Sequence, residues 1–319
     1  MAIYTKLTFS EVAVILKNYH LGTLKELRGI KEGIENTNYL LNTTSGKYIL
    51  TLYEKRVNSK ELPFFINLMS YLNAQKIVCP KPISNINKKN VFKIKNKYAS
   101  ISSFVYGKDK SNHSINECKL IGKNIAKLHI VGKGAKIKRT NNLSINSWIK
   151  LNRSIKKKAN QKIPGIYEFI DTILNRIKKN WPKNIPSGII HGDLFPDNIF
   201  FIKKKFSGFI DFYFACNDFL VYDLAICINA LCFDKKNQLN QKKMEAILNG
   251  YSSVRKLNKD EIKALPNLLM GSAIRFFLTR LHDSINQQKN AIVKVKNPYE
   301  YLRKIKFHNK INNRKELLA

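Results

Sequence analysis

Acidic residues are scarce in this chain: 22 Asp and Glu stand against 57 Lys and Arg, a formal net charge of +35. A cleft built for a polycationic ligand needs converging carboxylates, and so few acids argue against one. Cysteine is equally uninformative as a scaffold. Five residues, Cys79, Cys118, Cys216, Cys227 and Cys232, contain no C-x-x-C pair, and their odd number excludes a full disulfide framework, so reduced and mostly buried thiols are expected. No stretch approaches the roughly 18 apolar residues of a membrane span, and Met1–Leu7 has no apolar signal core. The sequence therefore predicts a cytoplasmic protein.

The basic excess would ordinarily suggest nucleic acid. Here the lysines are scattered among Asn and Ile, as an AT-rich coding sequence would scatter them, and no arginine-rich stripe stands out. Lys156–Lys158 and Lys203–Lys205 fall in polar or turn-like surroundings and read as solvated surface. No specific nucleic-acid partner is expected, only nonspecific polyanion binding at low salt.

What is present is a chain of 319 residues, 44% hydrophobic, enough for one large domain or two lobes with a sizeable core. Its most informative stretch is His191-Gly192-Asp193-Leu194-Phe195-Pro196-Asp197-Asn198, which reads H-x-D-x-x-x-x-N. A second acid follows in Ile210-Asp211-Phe212. In a kinase catalytic loop the Asp accepts the proton of the attacking hydroxyl and the Asn holds magnesium, with a further magnesium-binding Asp downstream. Asp193 takes the first role, Asn198 and Asp211 the others. Magnesium prefers few protein oxygens plus phosphate oxygens, which this pair suits. The alternative is that Asp193 and Asn198 merely turn a loop. Between them, Ile199–Ile202 and Phe206–Ile210 flank Lys203-Lys204-Lys205 as a hairpin would.

The string Gly192–Asn198 with Ile210-Asp211-Phe212 resembles the aminoglycoside phosphotransferase and choline kinase superfamily. Gly29–Tyr39, Tyr48–Arg56, Asp211–Asp218 and Tyr222–Cys227 are similar to its homoserine kinase branch, over about Tyr4 to His308. The resemblance implies a two-lobed, protein-kinase-like α+β fold. An antiparallel sheet lobe, residues 1–105, binds nucleotide, and a larger helical lobe, residues 106–319, carries catalysis and acceptor binding. It implies ATP and Mg2+ as cofactors and L-homoserine as acceptor, giving O-phospho-L-homoserine in threonine biosynthesis. Acceptor choice depends on cleft residues outside the shared motif, so choline, methylthioribose or an aminoglycoside stay open as acceptors, as does a non-catalytic kinase-like binding protein.

In chain order, Phe9, Val12, Ile15, Leu16 and Tyr19 recur at helical spacing after a cap at Thr8 or Ser10. Strand-like runs follow at Thr23–Leu27, Tyr39–Thr43 and Tyr48–Tyr53. Gly33, Asn36 and Tyr39 match the superfamily's Gly-x-x-Asn-x-x-Tyr form, which implies that Gly33 and Asn36 lie against ATP. The strand position that usually supplies a phosphate-binding cation is Thr51; Lys55 or Arg56, just beyond, are the substitutes. A helix over Lys60–Asn73 offers Glu61 as the only acid for such a cation, with an exposed first-turn role as its alternative. Cys79-Pro80-Lys81-Pro82 predicts a non-helical connection, with two alternating prolines precluding regular pairing. Val91–Ile94 and Tyr98–Phe104 form a hairpin, and Val105–Lys108 a hinge, with Ser103 to Val105 as adenine contacts.

Ser114 and Glu117 form a capping box ahead of a helix in which His129 reads as a packing residue. Trp148–Ile155 and Ile166–Ile177 are helices, and Gly188–His191 a short strand in which His191 holds the catalytic loop. Asp223 opens a helix to Cys232, as a cap or as a tie to the loop. Further helices are expected at Gln241–Tyr251, Asp260–Leu265 and Asn267–Ser284, the last two separated by Pro266. Arg275, Thr279 and His282 share one face there, readable as a cleft wall or as a solvated stripe. An amino-acid acceptor needs a cation for its carboxylate and an acid for its ammonium. By the resemblance Arg275 and Arg280 are candidates for the first, and Asp218 and Asp283 for the second.

Overall fold

Thr8 and Glu11 bond each other's backbone amides as a capping box and so start the first helix, α1 (Phe9–Leu16). The computed structural model describes residues 4–30, 36–54, 58–234, 236–287 and 295–311. Two compact units emerge: Met1–Gly107 with Ser207–Tyr213, and Lys108–Phe206 with Phe214–Ala319.

In the first unit, six strands form an antiparallel sheet: β1 (Leu24–Ile30), β2 (Thr37–Thr43), β3 (Gly46–Leu52), β4 (Pro82–Ile83), β5 (Val91–Ile94) and β6 (Lys97–Ser103). Their order is β1-β2-β3-β6, with β4 and β5 both pairing along the outer edge of β6. One sheet face buries Leu41, Leu50, Leu52, Ala99 and Ile101 against Val12 and Leu16 of α1. A second helix, α2 (Leu62–Ala74), buries Phe65, Leu68 and Leu72. Burying each such side chain stabilises by about 1.5–3 kcal/mol. Contrary to the sequence expectation, Pro82 does enter the sheet. It heads an edge strand opposite Ser102, where no N–H is required of it.

The second unit holds α3 (Ile115–Gly132), α4 (Ile145–Ser154), α5 (Lys156–Lys162), α6 (Ile166–Lys179), strand β7 (Ser187–Ile190) and strand β8 (Ile199–Ile202), which hairpins with β9 (Lys205–Phe209). Beyond these come β10 (Cys216–Phe219), α7 (Leu220–Leu231), α8 (Gln241–Ser252), α9 (Lys259–Ile285) and α10 (Pro298–Lys310). Two findings correct the sequence reading, and a third adds to it. Lys156–Lys162 is helical, because lysine is a good helix former and the turn is anchored by buried Ile155 and Ala159. Pro266 does not divide α9. Leu265, Leu268 and Leu269 are buried on either side of it while α9 packs on α4, α5, α6, α7 and α10, and that burial offsets the roughly 3 kcal/mol of an interior proline. Cys216–Phe219, which carries no strand signal in its sequence, pairs antiparallel with β7.

Helices α3 and α8 meet through glycine. A Cβ on Gly122 or Gly250 would sit 2.0 Å from the Ile247 or Lys119 carbonyl oxygen. All five cysteines are buried free thiols. Among the described residues no helix is long and apolar enough to cross a membrane.

Two buried histidines couple this fold to pH. Burial pushes His113 down to about 4 and His308 down to about 3. The unfolded chain takes up these protons near pH 6.5 and the folded chain does not, so stability is full above that pH and falls as pH drops towards 4. His113 packs on Phe201, and neither ring nitrogen has a partner among the described residues. His113→Phe should therefore keep the melting temperature at about pH 7.5 and shrink its fall at about pH 5, measured by thermal unfolding. An unchanged acid slope would contradict this.

Candidate active site

Strand β7 delivers the chain into the His191–Asn198 loop, and β10 fixes the height at which it leaves: Ile190 pairs Cys216 and Ile189 pairs Asn217. Gly192 has a φ of 76°, and a Cβ there would lie 2.6 Å from the Phe214 carbonyl oxygen, so both conformation and space demand glycine. In the first turn of α7, the Asp223 carboxylate is fully buried. It accepts the amide protons of His191 (2.8 Å) and Gly192 (2.9 Å) on its two oxygens. His129 Nε2 lies 3.1 Å from the same carboxylate, and His129 Nδ1 lies 2.8 Å from Tyr251 Oη. Arg255 donates to Tyr251 and pairs with Glu261. Burial alone would raise the Asp223 carboxyl. The His129 hydrogen bond, the His129 and His191 charges and the Gly192 amide outweigh it and hold the group below its ordinary value. Asp223 thus ties the loop to α7, and His129 extends the tie to α3 and α8.

His191 is itself buried, and its Nδ1 accepts the Asp193 amide proton at 3.2 Å. Asn198 turns its amide nitrogen to the Asp193 carbonyl (2.8 Å) and to Asp193 Oδ2 (3.0 Å). Its Oδ1 is the end left to face a cation. In the first unit, Asp211 adopts a left-handed φ of 64°, a strained state that Asp tolerates and that concentrates at functional positions. Its charge helps burial to raise the hydroxyls of Tyr53 and Tyr213. Among the described residues no group of three or more His, Cys, Asp or Glu gathers as a metal cage. Magnesium, which leans on phosphate oxygens, does not require one.

The remaining candidates separate clearly. Thr51 is buried and donates to Asn38 (2.8 Å), so it supplies a sheet hydrogen bond and no charge. Asn36 accepts the Glu54 amide proton at 3.3 Å. Glu54 also pairs with Lys97, an ion pair with no sequence signal because lysine is everywhere. Gly33, Lys55 and Arg56 lie outside the described residues. The Ser103 amide donates to Lys81 and its hydroxyl accepts from the Lys81 amide, while Val105 is buried.

In the second unit, Arg275 is 2% exposed, lies over the Phe276 and Phe214 rings, and is electrostatically coupled to Tyr222, Asp193 and Cys216. Asp218 accepts from Asn141 Nδ2 (2.6 Å) and from the Phe219 amide (2.7 Å); burial raises its carboxyl despite these bonds and the Arg275 charge. Arg280 bonds Glu300 (2.7 Å) and the Asn297 carbonyl (3.3 Å). Asp283 faces His282 at 3.5 Å. Sequence reasoning passed over Tyr222, Arg139 and Asn141. The last two sit in a Lys/Asn-rich loop with no periodic signal, and Arg139 reaches the Ala215 carbonyl at 3.1 Å.

The phosphotransferase enzyme family model matches residues 26–257. A homoserine kinase of Rhizobium meliloti (strain 1021) is 46% identical over 311 residues, covering 98% of this chain and 95% of the relative. Among solved structures, an amicoumacin kinase in complex with AMP-PNP and Ca2+ superposes with a TM-score of 0.72 at 15% identity, over 96% of this chain and 94% of that one. A choline kinase from Cryptosporidium parvum gives 0.70 at 15% identity, over 98% and 96%. These likenesses establish the protein-kinase-like fold.

Replacing Asp223 by Asn keeps the shape but turns an NH2 toward donors. Asp223→Asn should cost about 2–3 kcal/mol of stability, from charged hydrogen bonds lost in the interior, and should lower turnover with it. Thermal unfolding and steady-state kinetics check this, and an unaltered melting temperature would contradict the assigned role.

Proposed function

The chain belongs to the phosphotransferase enzyme family, and from that premise we propose that it transfers the γ-phosphoryl group of ATP to the side-chain hydroxyl of L-homoserine, giving O-phospho-L-homoserine for threonine biosynthesis. The observation that carries the acceptor is the extent of the similarity. Identity to the Rhizobium meliloti homoserine kinase runs through 98% of this chain, well past the motif that all such kinases share.

Asp193 is the general base. Asn198 Nδ2 holds one of its carboxylate oxygens at 3.0 Å, which fixes the direction in which the carboxylate can take the acceptor's proton. Asn198 and Asp211 would hold magnesium, each through a side-chain oxygen. The ion, when bound with ATP, neutralises phosphate charge and aligns the transferred group. For the nucleotide, Asn36 is assigned to the phosphates, a role that the resemblance extends to Gly33 and Lys55, which lie outside the described residues. Thr51 is reassigned to the sheet because its hydroxyl is bonded to Asn38. At the adenine, Val105 is preferred to Ser103, whose amide and hydroxyl are both bonded to Lys81. His191 and Asp223 position the loop.

The assignments separate kinetically. Asp193→Ala should lower turnover by about 10²–10⁴-fold with ATP saturation nearly unchanged. Asp211→Ala should instead raise the magnesium and ATP requirement. Steady-state ADP release with homoserine checks both. Near-normal turnover in the Asp193 variant would remove the general-base role.

A further inference from the structure

Three cations in the second unit are buried among the described residues: Arg275, Arg280 and Lys304. Two of them share Glu300, through bonds of 2.7 Å each. Arg275 has no such neighbour. It forms no ion pair with any described residue, and its Nε is wholly enclosed without a partner. The rings of Phe214 and Phe276 have their centroids 5.7 and 4.7 Å from its guanidinium carbon. Arginine cannot shed its proton to escape such a place. An uncompensated buried charge is among the most destabilising features a fold can hold, and it marks a position that an anion completes.

What surrounds Arg275 defines that anion. Tyr222 Oη lies beside the guanidinium in a residue only 1% exposed, and no group other than the guanidinium is placed to bond it among the described residues. Its ring is held between Trp148 and Trp181 (centroids 6.3 and 6.4 Å), so the hydroxyl is aimed by rigid packing. Asp218 stands within electrostatic reach of Arg275 but pairs with no cation among the described residues. Each of its oxygens takes one hydrogen bond, from Asn141 and from the Phe219 amide, which leaves lone pairs on both. Asp193 also lies within reach of Arg275. Two unpaired opposite charges and the general base are therefore gathered in one unit.

Resting on the homoserine kinase reading, we propose that this constellation is the receptor for the acceptor's α-amino-acid end: Arg275 and the Tyr222 hydroxyl take the carboxylate, Asp218 takes the ammonium, and the side-chain hydroxyl falls to Asp193. Arg280 and Asp283 then belong to the framework. The receptor selects zwitterionic α-amino acids with a terminal hydroxyl and rejects simple alcohols and amines, because an acceptor lacking one charge leaves its buried partner unmatched.

Three acceptors resolve the assignment: homoserine, 3-aminopropan-1-ol, which lacks the carboxylate, and 4-hydroxybutanoate, which lacks the ammonium. Their saturation is measured by ADP release, alongside melting temperature without acceptor. Arg275→Gln should raise the homoserine KM about a hundredfold or more and leave 3-aminopropan-1-ol nearly unaffected, while the melting temperature holds or rises. Tyr222→Phe, which keeps the ring packing, should raise the homoserine KM by about five- to tenfold. Asp218→Asn should raise it for homoserine and 3-aminopropan-1-ol and spare 4-hydroxybutanoate. Wild-type homoserine saturation in Arg275→Gln and Tyr222→Phe overturns the inference and leaves the proposed function intact. A lowered melting temperature with equal losses on all three acceptors also overturns it, making Arg275 structural. Failure of the unaltered protein itself to use homoserine, with turnover on another alcohol, contradicts the preceding section instead.

Discussion

One buried carboxylate organises the catalytic half of this chain. Asp223 holds the amides of His191 and Gly192 on separate oxygens, which fixes both the position and the rotation of the peptide that leads into Asp193. Backbone amides left without an acceptor in a dry interior would be destabilising, and a charged acceptor binds them about twice as strongly as a neutral one. His129 then links that carboxylate to Tyr251, and the close contact of α3 and α8 at Gly122 and Gly250 brings the two partners within reach. The loop that presents Asp193 thus inherits its rigidity from three helices.

The same unit contains the opposite arrangement a short way along the chain. Where Asp223 is surrounded by donors, Arg275 faces two aromatic rings and the Tyr222 hydroxyl, with its Nε left without a partner. A fold selected only for stability would place an acid beside Arg275, as Glu300 stands beside Arg280 and Lys304. Leaving it unmatched costs stability, and on the proposed reading it keeps an anion site preorganised, a trade common where function and stability compete. Fully satisfied polar groups therefore hold the loop, and the proposed acceptor receptor is built from unsatisfied ones.

Much of this was legible in the sequence because the information is local. The catalytic string is contiguous, Asp211 follows at fixed spacing, and the α1 and α3 capping boxes are written within four residues. Less visible were features decided by distant neighbours. Pro82 is a strand residue only because β6 offers it an edge, and Pro266 stays helical only because five other helices cover α9. β10, four residues without alternation, gains its identity from β7. Nor could sequence separate Arg275 from Arg280: they lie on one helix five residues apart, and the difference rests on Asn297 and Glu300, where α10 begins. Lysine's abundance hid the Lys97 pairing with Glu54 for a different reason, since a residue found everywhere marks nothing.

The most direct measurement is ADP release by the purified protein with Mg2+ and ATP, compared across L-homoserine, choline, methylthioribose and kanamycin. Turnover that saturates with homoserine and favours it over the other three by at least about a hundredfold in kcat/KM is the expected result, since buried charged contacts to both ends of the amino acid discriminate strongly. Preference for any of the other acceptors, or ADP release that does not respond to homoserine, would contradict the account.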